Sequence, residues 1–163
     1  MLAAVLVLFL SLAAGIGYWP RAAWATPGSM FNSETLVRAL FGNIEIESSS
    51  ALLKVGIETK GPADVFVVRN TVPPGGYSGW HTHPGPSIVS VKTGTATVYD
   101  GNDPYCRPHT YVAGTGFVDR GGAGHAHMVR NEGTVPLETI AFQIIPAGAD
   151  RRIDVAAPGY CAF

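Results

Sequence analysis

Between Ile44 and Ile145 the apolar residues never settle into a helical spacing. Short runs rich in Val, Ile, Thr and aromatic side chains are cut by turns, for which the chain supplies 20 Gly and 12 Pro. Such punctuation leaves little room for helices and predicts short strands closing into a β-sandwich or barrel. Asp64 to Val72, Ser87 to Lys92, Ala96 to Tyr99, Thr110 to Val112, Gly116 to Val118, His125 to Arg130 and Leu137 to Ile145 read as those strands. Alternation within the second run puts Val89 and Val91 on one face, Ser90 and Lys92 on the other. Thr93-Gly94-Thr95 reads as a tight turn, and Asn131-Glu132-Gly133-Thr134 as a hairpin in which Gly133 takes a positive φ. Asn32 to Gly42 fits either a turn or two of helix or an edge strand. Ala147 to Phe163 reads as a tail with little β-character, held by a disulfide.

Residues Leu2 to Pro20 are uncharged and rich in Leu, Ala and Val, and Ala23-Trp24-Ala25 supplies the small-x-small pattern that a signal peptidase accepts. Residues 1–25 are therefore expected to be a cleaved export signal, leaving Thr26 first. The same run is nearly long enough to stay as a membrane anchor, and the membrane is expected as a partner in that case only. Either way residues 26–163 are expected to form a single domain that is secreted or otherwise outside the cytoplasm. Cys106 and Cys161 are an even pair suited to oxidation there, and neither has the spacing of a redox or zinc motif. With eleven basic against twelve acidic side chains, the chain builds no field that gathers phosphates, so nucleic acid is not an expected partner.

Of five histidines, four stand in two clusters, His81-Thr82-His83 and His125-Ala126-His127. If both clusters are strands, residues two apart project to one face and each pair aims its imidazoles the same way. Neutral imidazole is a common ligand for transition metals, and two such pairs on neighbouring strands make a pocket of metal-binding nitrogens. His109, in a polar loop, reads as a surface residue.

Gly75-(x5)-His81-Thr82-His83-(x3)-Ser87-(x6)-Gly94 resembles the first motif of the cupin superfamily, and Gly116-(x5)-Gly122-Ala123-Gly124-(x2)-His127-(x3)-Asn131 resembles the second. The resemblance implies an all-β fold, a double-stranded β-helix or jelly-roll barrel. Residue by residue it places metal ligands on His81, His83 and His127. It also marks two departures: Ser87 stands where the family has a glutamate ligand, and Gly122 where it has a proline. His125 offers a further nitrogen, as a fourth ligand or as a residue holding bound water; its other reading is a turn histidine pointing away. Ser87, Val89, Val91 and Val129 are expected to face the lumen, with Lys92 and Arg130 in water. Trp80, Tyr77 and Phe117 are candidates to line the mouth, Arg69 to meet an anion, and Asp119 to end a strand.

The expected cofactor is one divalent ion: zinc, iron, copper, nickel or manganese. Three neutral imidazoles would leave it two net positive charges, which favours an anionic or oxygenated small-molecule ligand. The family's range implies metal-dependent oxygenase, lyase or isomerase chemistry; the alternative is a non-catalytic small-molecule-binding or metal-buffering protein. The family's habit of pairing barrels by their strand edges implies a homodimer.

Overall fold

The computed structural model describes residues 25–122, 124–161 and 163. The expected leader therefore lies outside the described residues, apart from Ala25. Every regular element among those residues is a strand: β1 (Asn32–Phe41), β2 (Glu45–Ser49), β3 (Lys54–Glu58), β4 (Ala63–Val72), β5 (His81–Thr82), β6 (Ser87–Thr93), β7 (Thr95–Asp100), β8 (His109–Val112), β9 (Gly116–Asp119), β10 (His127–Arg130), β11 (Leu137–Pro146) and β12 (Ile153–Asp154).

Two five-stranded antiparallel sheets make the barrel, ordered β1-β4-β11-β6-β9 and β12-β5-β10-β7-β8, with β2-β3 as a separate hairpin. From β4 to β12 successive strands change sheet at every step but β7 to β8, which is the winding of a double-stranded β-helix. β6 and β11 each bury one face, whereas β4, between β1 and β11, is buried along most of its length and β2-β3 is largely exposed. In β6 Ser87, Val89 and Val91 are buried while Ile88, Ser90 and Lys92 are exposed, and in β11 Leu137, Thr139, Ala141, Gln143 and Ile145 are buried in alternation. That is the period of two expected when one side of a sheet meets the core. Val72, Val91, Ala96 and Leu137 pack together from both sheets, and each of the Val and Leu side chains contributes about 1.5–3 kcal/mol by leaving water.

This topology resolves one open expectation and corrects two. Residues 32–41 form an edge strand with no helical turn, and a register shift between Thr35 and Val37 is what spoils their alternation. The turn at 131–134 is not a hairpin, because β10 and β11 belong to different sheets and Gly133 keeps a negative φ. Its geometry comes from Asn131, fully buried, whose amide donates to the Val72 and Val135 carbonyls at 2.8 and 2.9 Å while its Oδ1 accepts from Gly133 N at 3.1 Å. The C-terminal segment is more than a tail: β12 pairs with β5, Ile153 opposite Thr82 and Asp154 opposite His81.

Beyond β12 the chain crosses the outer face of the second sheet. There Trp80, Tyr99, Met128 and Cys161 form a buried cluster, and Cys161 is bonded to Cys106 with Cα atoms 5.6 Å apart. Closing a span of 55 residues contributes on the order of 4 kcal/mol in the chain-entropy account. Trp80, a candidate for the mouth, belongs to this cluster because it alternates with inward-facing His81. Arg130, expected in water, is instead half-buried and lies between the rings of Tyr77 and Phe163, at 5.2 and 4.8 Å.

Candidate metal centre

The two histidine segments meet where β5 and β10 pair, with His81 directly opposite His127. His81 and His83, two residues apart, both turn into the lumen, and all three rings are buried. Their centroids are 4.2 Å apart for His81 and His127, 5.0 Å for His81 and His83, and 5.4 Å for His83 and His127. One ring nitrogen from each lies within 4.8 Å of the others.

Hydrogen bonds decide which nitrogen is free. Nδ1 of His81 is 3.0 Å from the Gly79 carbonyl and Nδ1 of His83 is 2.6 Å from the Arg151 carbonyl. A carbonyl only accepts, so both Nδ1 atoms carry the hydrogen and both Nε2 lone pairs are left over. Burial holds all three imidazoles neutral. His81 falls well below the usual histidine range through desolvation and then the neighbouring charges of His127 and Arg152. His83 is lowered mainly by burial, against the opposing pull of the Arg151 carbonyl and Asp119. His127 drops to about 4, again through desolvation first, with Asp119 opposing. Neutral imidazoles with free lone pairs are the state that a metal takes up.

His125 stands apart from this trio. Its backbone lies in the glycine turn before β10, N–H to the Gly122 carbonyl at 3.3 Å, and its side chain borders a second, outer cavity together with His109. A His-x-His pair shares a face only in extended backbone, and β10 begins at His127. Gly122 also accounts for the missing proline: its φ is +84°, outside proline's reach, and its N–H donates to the His83 carbonyl at 2.7 Å. The glycine turn thereby ties the second segment to the end of the first.

Position 87 carries no carboxylate, and its hydroxyl is engaged. Gln143 Nε2 donates to Ser87 Oγ at 2.6 Å, and Gln143 Oε1 accepts from Arg151 Nη1 at 3.1 Å. Arg151 and Arg152, on the segment leading into β12, line the lumen cavity beside the histidines and Phe117. Burial lowers both guanidinium pKa values, and Nη1 of Arg152 is buried without a partner. Arg69, the sequence's candidate for an anion, instead pairs with Glu34 on the outside of β4. The lumen cavity is small, about 40 Å³, and since one water needs about 10–15 Å³ of such space it holds a few atoms only.

Asp119 ends β9 as expected, but its buried carboxylate also reaches the trio. Oδ2 lies 3.8 Å from His83 Nε2 and Oδ1 3.7 Å from His127 Nδ1. Both Asp119 Oδ2 and His127 Nδ1 are buried without hydrogen-bond partners. Orphaned buried polar atoms facing a cluster of free imidazole nitrogens fit a bound cation. Gln143, Arg151, Arg152 and the reach of Asp119 had no signal in spacing, since each is brought to the site by pairing of distant strands.

The family described as Cupin domain matches residues 68–143. The barrel has the cupin fold. Among solved structures it is similar to a conserved protein of unknown function from Streptococcus pyogenes, at 15% identity over 72% of this chain and 76% of that one, with a TM-score of 0.46. An uncharacterized conserved protein with a double-stranded β-helix domain from Klebsiella pneumoniae is similar at 22% identity, covering 70% of this chain and 84% of that one, TM-score 0.45. A DMSP lyase from Ruegeria pomeroyi is similar at 18% identity over 55% and 42% of the two chains, TM-score 0.46. No curated protein matches the sequence.

Proposed function

We propose that this cupin is exported and binds one divalent metal ion through His81, His83 and His127, and through that ion a small anionic or oxygenated molecule. The carrying observation is the pair of Nδ1–H donors pinned on the carbonyls of Gly79 and Arg151, which leaves two Nε2 lone pairs beside His127 in a buried space. Zinc, iron, copper, nickel and manganese all accept such a donor set. Arg151, bonded to Gln143 and Ser33, adds positive charge on the same side, while Arg152 is paired with Asp154; this supports an anionic ligand, and the small cavity supports one of a few heavy atoms. The bridge between Cys106 and Cys161 is compatible with an extracytoplasmic location.

When bound, the ion would act as a Lewis acid on its ligand. Apart from the histidines, the titratable side chains lining the lumen cavity are Arg151 and Arg152, neither a ready general acid or base, and the one carboxylate that reaches the trio, Asp119, faces the imidazole nitrogens themselves. That observation favours the second reading, a protein that stores or buffers its metal and ligand without turnover. Elemental analysis of the full chain recovered from its exported form tests the metal. About one ion per chain is expected, lost in His81→Ala and His127→Ala with the fold retained by circular dichroism; a wild type that stays metal-free after loading overturns the reading. Assaying the loaded protein against carboxylic acids and thiols under air then separates catalysis from storage.

A further inference from the structure

Ser87 and Asp119 are cross-strand partners, directly opposite each other on β6 and β9. Side chains at such a pair project to one face with Cβ atoms about 5 Å apart. We propose that Asp119 supplies the carboxylate that position 87 lacks and is the fourth protein ligand of the metal held by His81, His83 and His127. The proposal rests on the metal-binding reading above and deepens it.

Three observations carry it. First, the carboxylate is 8% exposed, although a lone buried carboxylate is costly unless its oxygens are satisfied. Second, only one oxygen is satisfied: Oδ1 accepts the Gly121 N–H at 3.1 Å, while Oδ2 has no partner. Third, Oδ2 faces His83 Nε2 across 3.8 Å. Nε2 bears a lone pair, because the hydrogen of His83 is on Nδ1 and donated to Arg151. Two buried lone pairs facing each other repel, and 3.8 Å exceeds hydrogen-bond range. A cation between them removes the conflict: ligand atoms about 2.1 Å from one ion at tetrahedral to octahedral angles lie roughly 3–3.5 Å apart, so the His83–Asp119 pair needs little closure, while Asp119 must swing further to share one ion with all three imidazoles, whose nitrogens alone cluster within 4.8 Å.

The backbone holds the carboxylate in place. Gly121 has a φ of +65°, and a Cβ there would overlap the Gly85 carbonyl oxygen, so the turn that donates to Asp119 sits hard against the loop after β5. Asp119 and His127 both border the outer cavity, the wider approach to the site, about 310 Å³. With one carboxylate the divalent site carries one net positive charge, so a monoanion neutralises it. Four protein ligands then leave open positions only on a metal that takes five or six, which favours iron, manganese or nickel over tetrahedral zinc when a ligand is to be held.

Titration of the full mature chain with Co2+, following heat and the visible ligand-field spectrum, tests the assignment. Asp119→Asn should weaken Co2+ binding by about 100-fold or more and change the spectrum, since even a residue that only supports a ligand is worth roughly 10–100-fold. Ser87→Glu added to Asp119→Asn should recover affinity by returning the charge from the opposite strand. If Asp119→Asn does not fold, Asp119→Glu carries the test through an altered spectrum of the bound ion. Wild-type affinity in Asp119→Asn overturns the proposal. So does weakened affinity with an unchanged spectrum, which would make Asp119 a positioning residue for His127. Failure of the wild type to bind Co2+ at all sinks the metal reading instead.

Discussion

His81-Thr82-His83 and His125-Ala126-His127 carry the same three-residue pattern, yet the barrel treats them differently. The first runs through β5, held on one side by β10 and on the other by β12, and delivers both rings to the lumen. The second joins the sheet only at His127; the residues before it form a glycine turn, and His125 turns to the outer cavity. A repeated motif thus has the geometry of a pair only where neighbouring strands impose extended backbone on it. The first segment depends on distant partners, the Arg151 carbonyl and β12, as much as on its own residues.

The largest effect that separates the segments is on metal affinity. His83→Ala is expected to weaken binding on the order of 1000-fold, because losing a ligand costs more than losing a residue that supports one, while His125→Ala should leave affinity within about twofold. Calorimetric titration of both variants checks this, and equal losses would restore the symmetry that the motif suggests.

Next come the glycines that tie the segments together. Gly121→Ala combines a positive φ with a clash against the Gly85 carbonyl and should destabilise the fold by about 3 kcal/mol. Gly122→Ala has a positive φ but open space and should cost about 1–2 kcal/mol. Urea unfolding of the two variants ranks them; a reversed order would mean that the turn does not press on the first segment.

The smallest effect is on pH dependence in the metal-free protein. The buried histidines titrate lower when folded than the ordinary value near 6.5, His127 at about 4. The unfolded chain therefore binds more protons between those values, and stability falls as pH drops from about 6.5 toward 4. His127 alone contributes about 1 kcal/mol of loss between pH 7 and 5.5, and His81 and His83 act in the same direction. Thermal melts should show His127→Asn with a flatter profile and His125→Ala with the wild-type one.

Much of the barrel was legible along the chain. β6 and β11 bury alternate residues, and alternation survives in sequence because each strand meets the core on one face. β1 was ambiguous for a local reason, the register shift after Thr35. The turn at 131–134 departs from a hairpin because turn residues report a change of direction and say nothing about which sheet receives the next strand. His81, His83 and His127 stood out because histidine is scarce here and the cupin motifs mark those positions.

Local periodicity and residue chemistry were enough to specify strands, turns and three imidazoles, since these depend on neighbours a few positions away. Strand pairing alone could put Asp119 across from Ser87, bring Arg151 and Gln143 to the lumen, and send His125 outward. Those outcomes belong to register and sheet order, which arise from contacts between parts of the chain that share no local pattern.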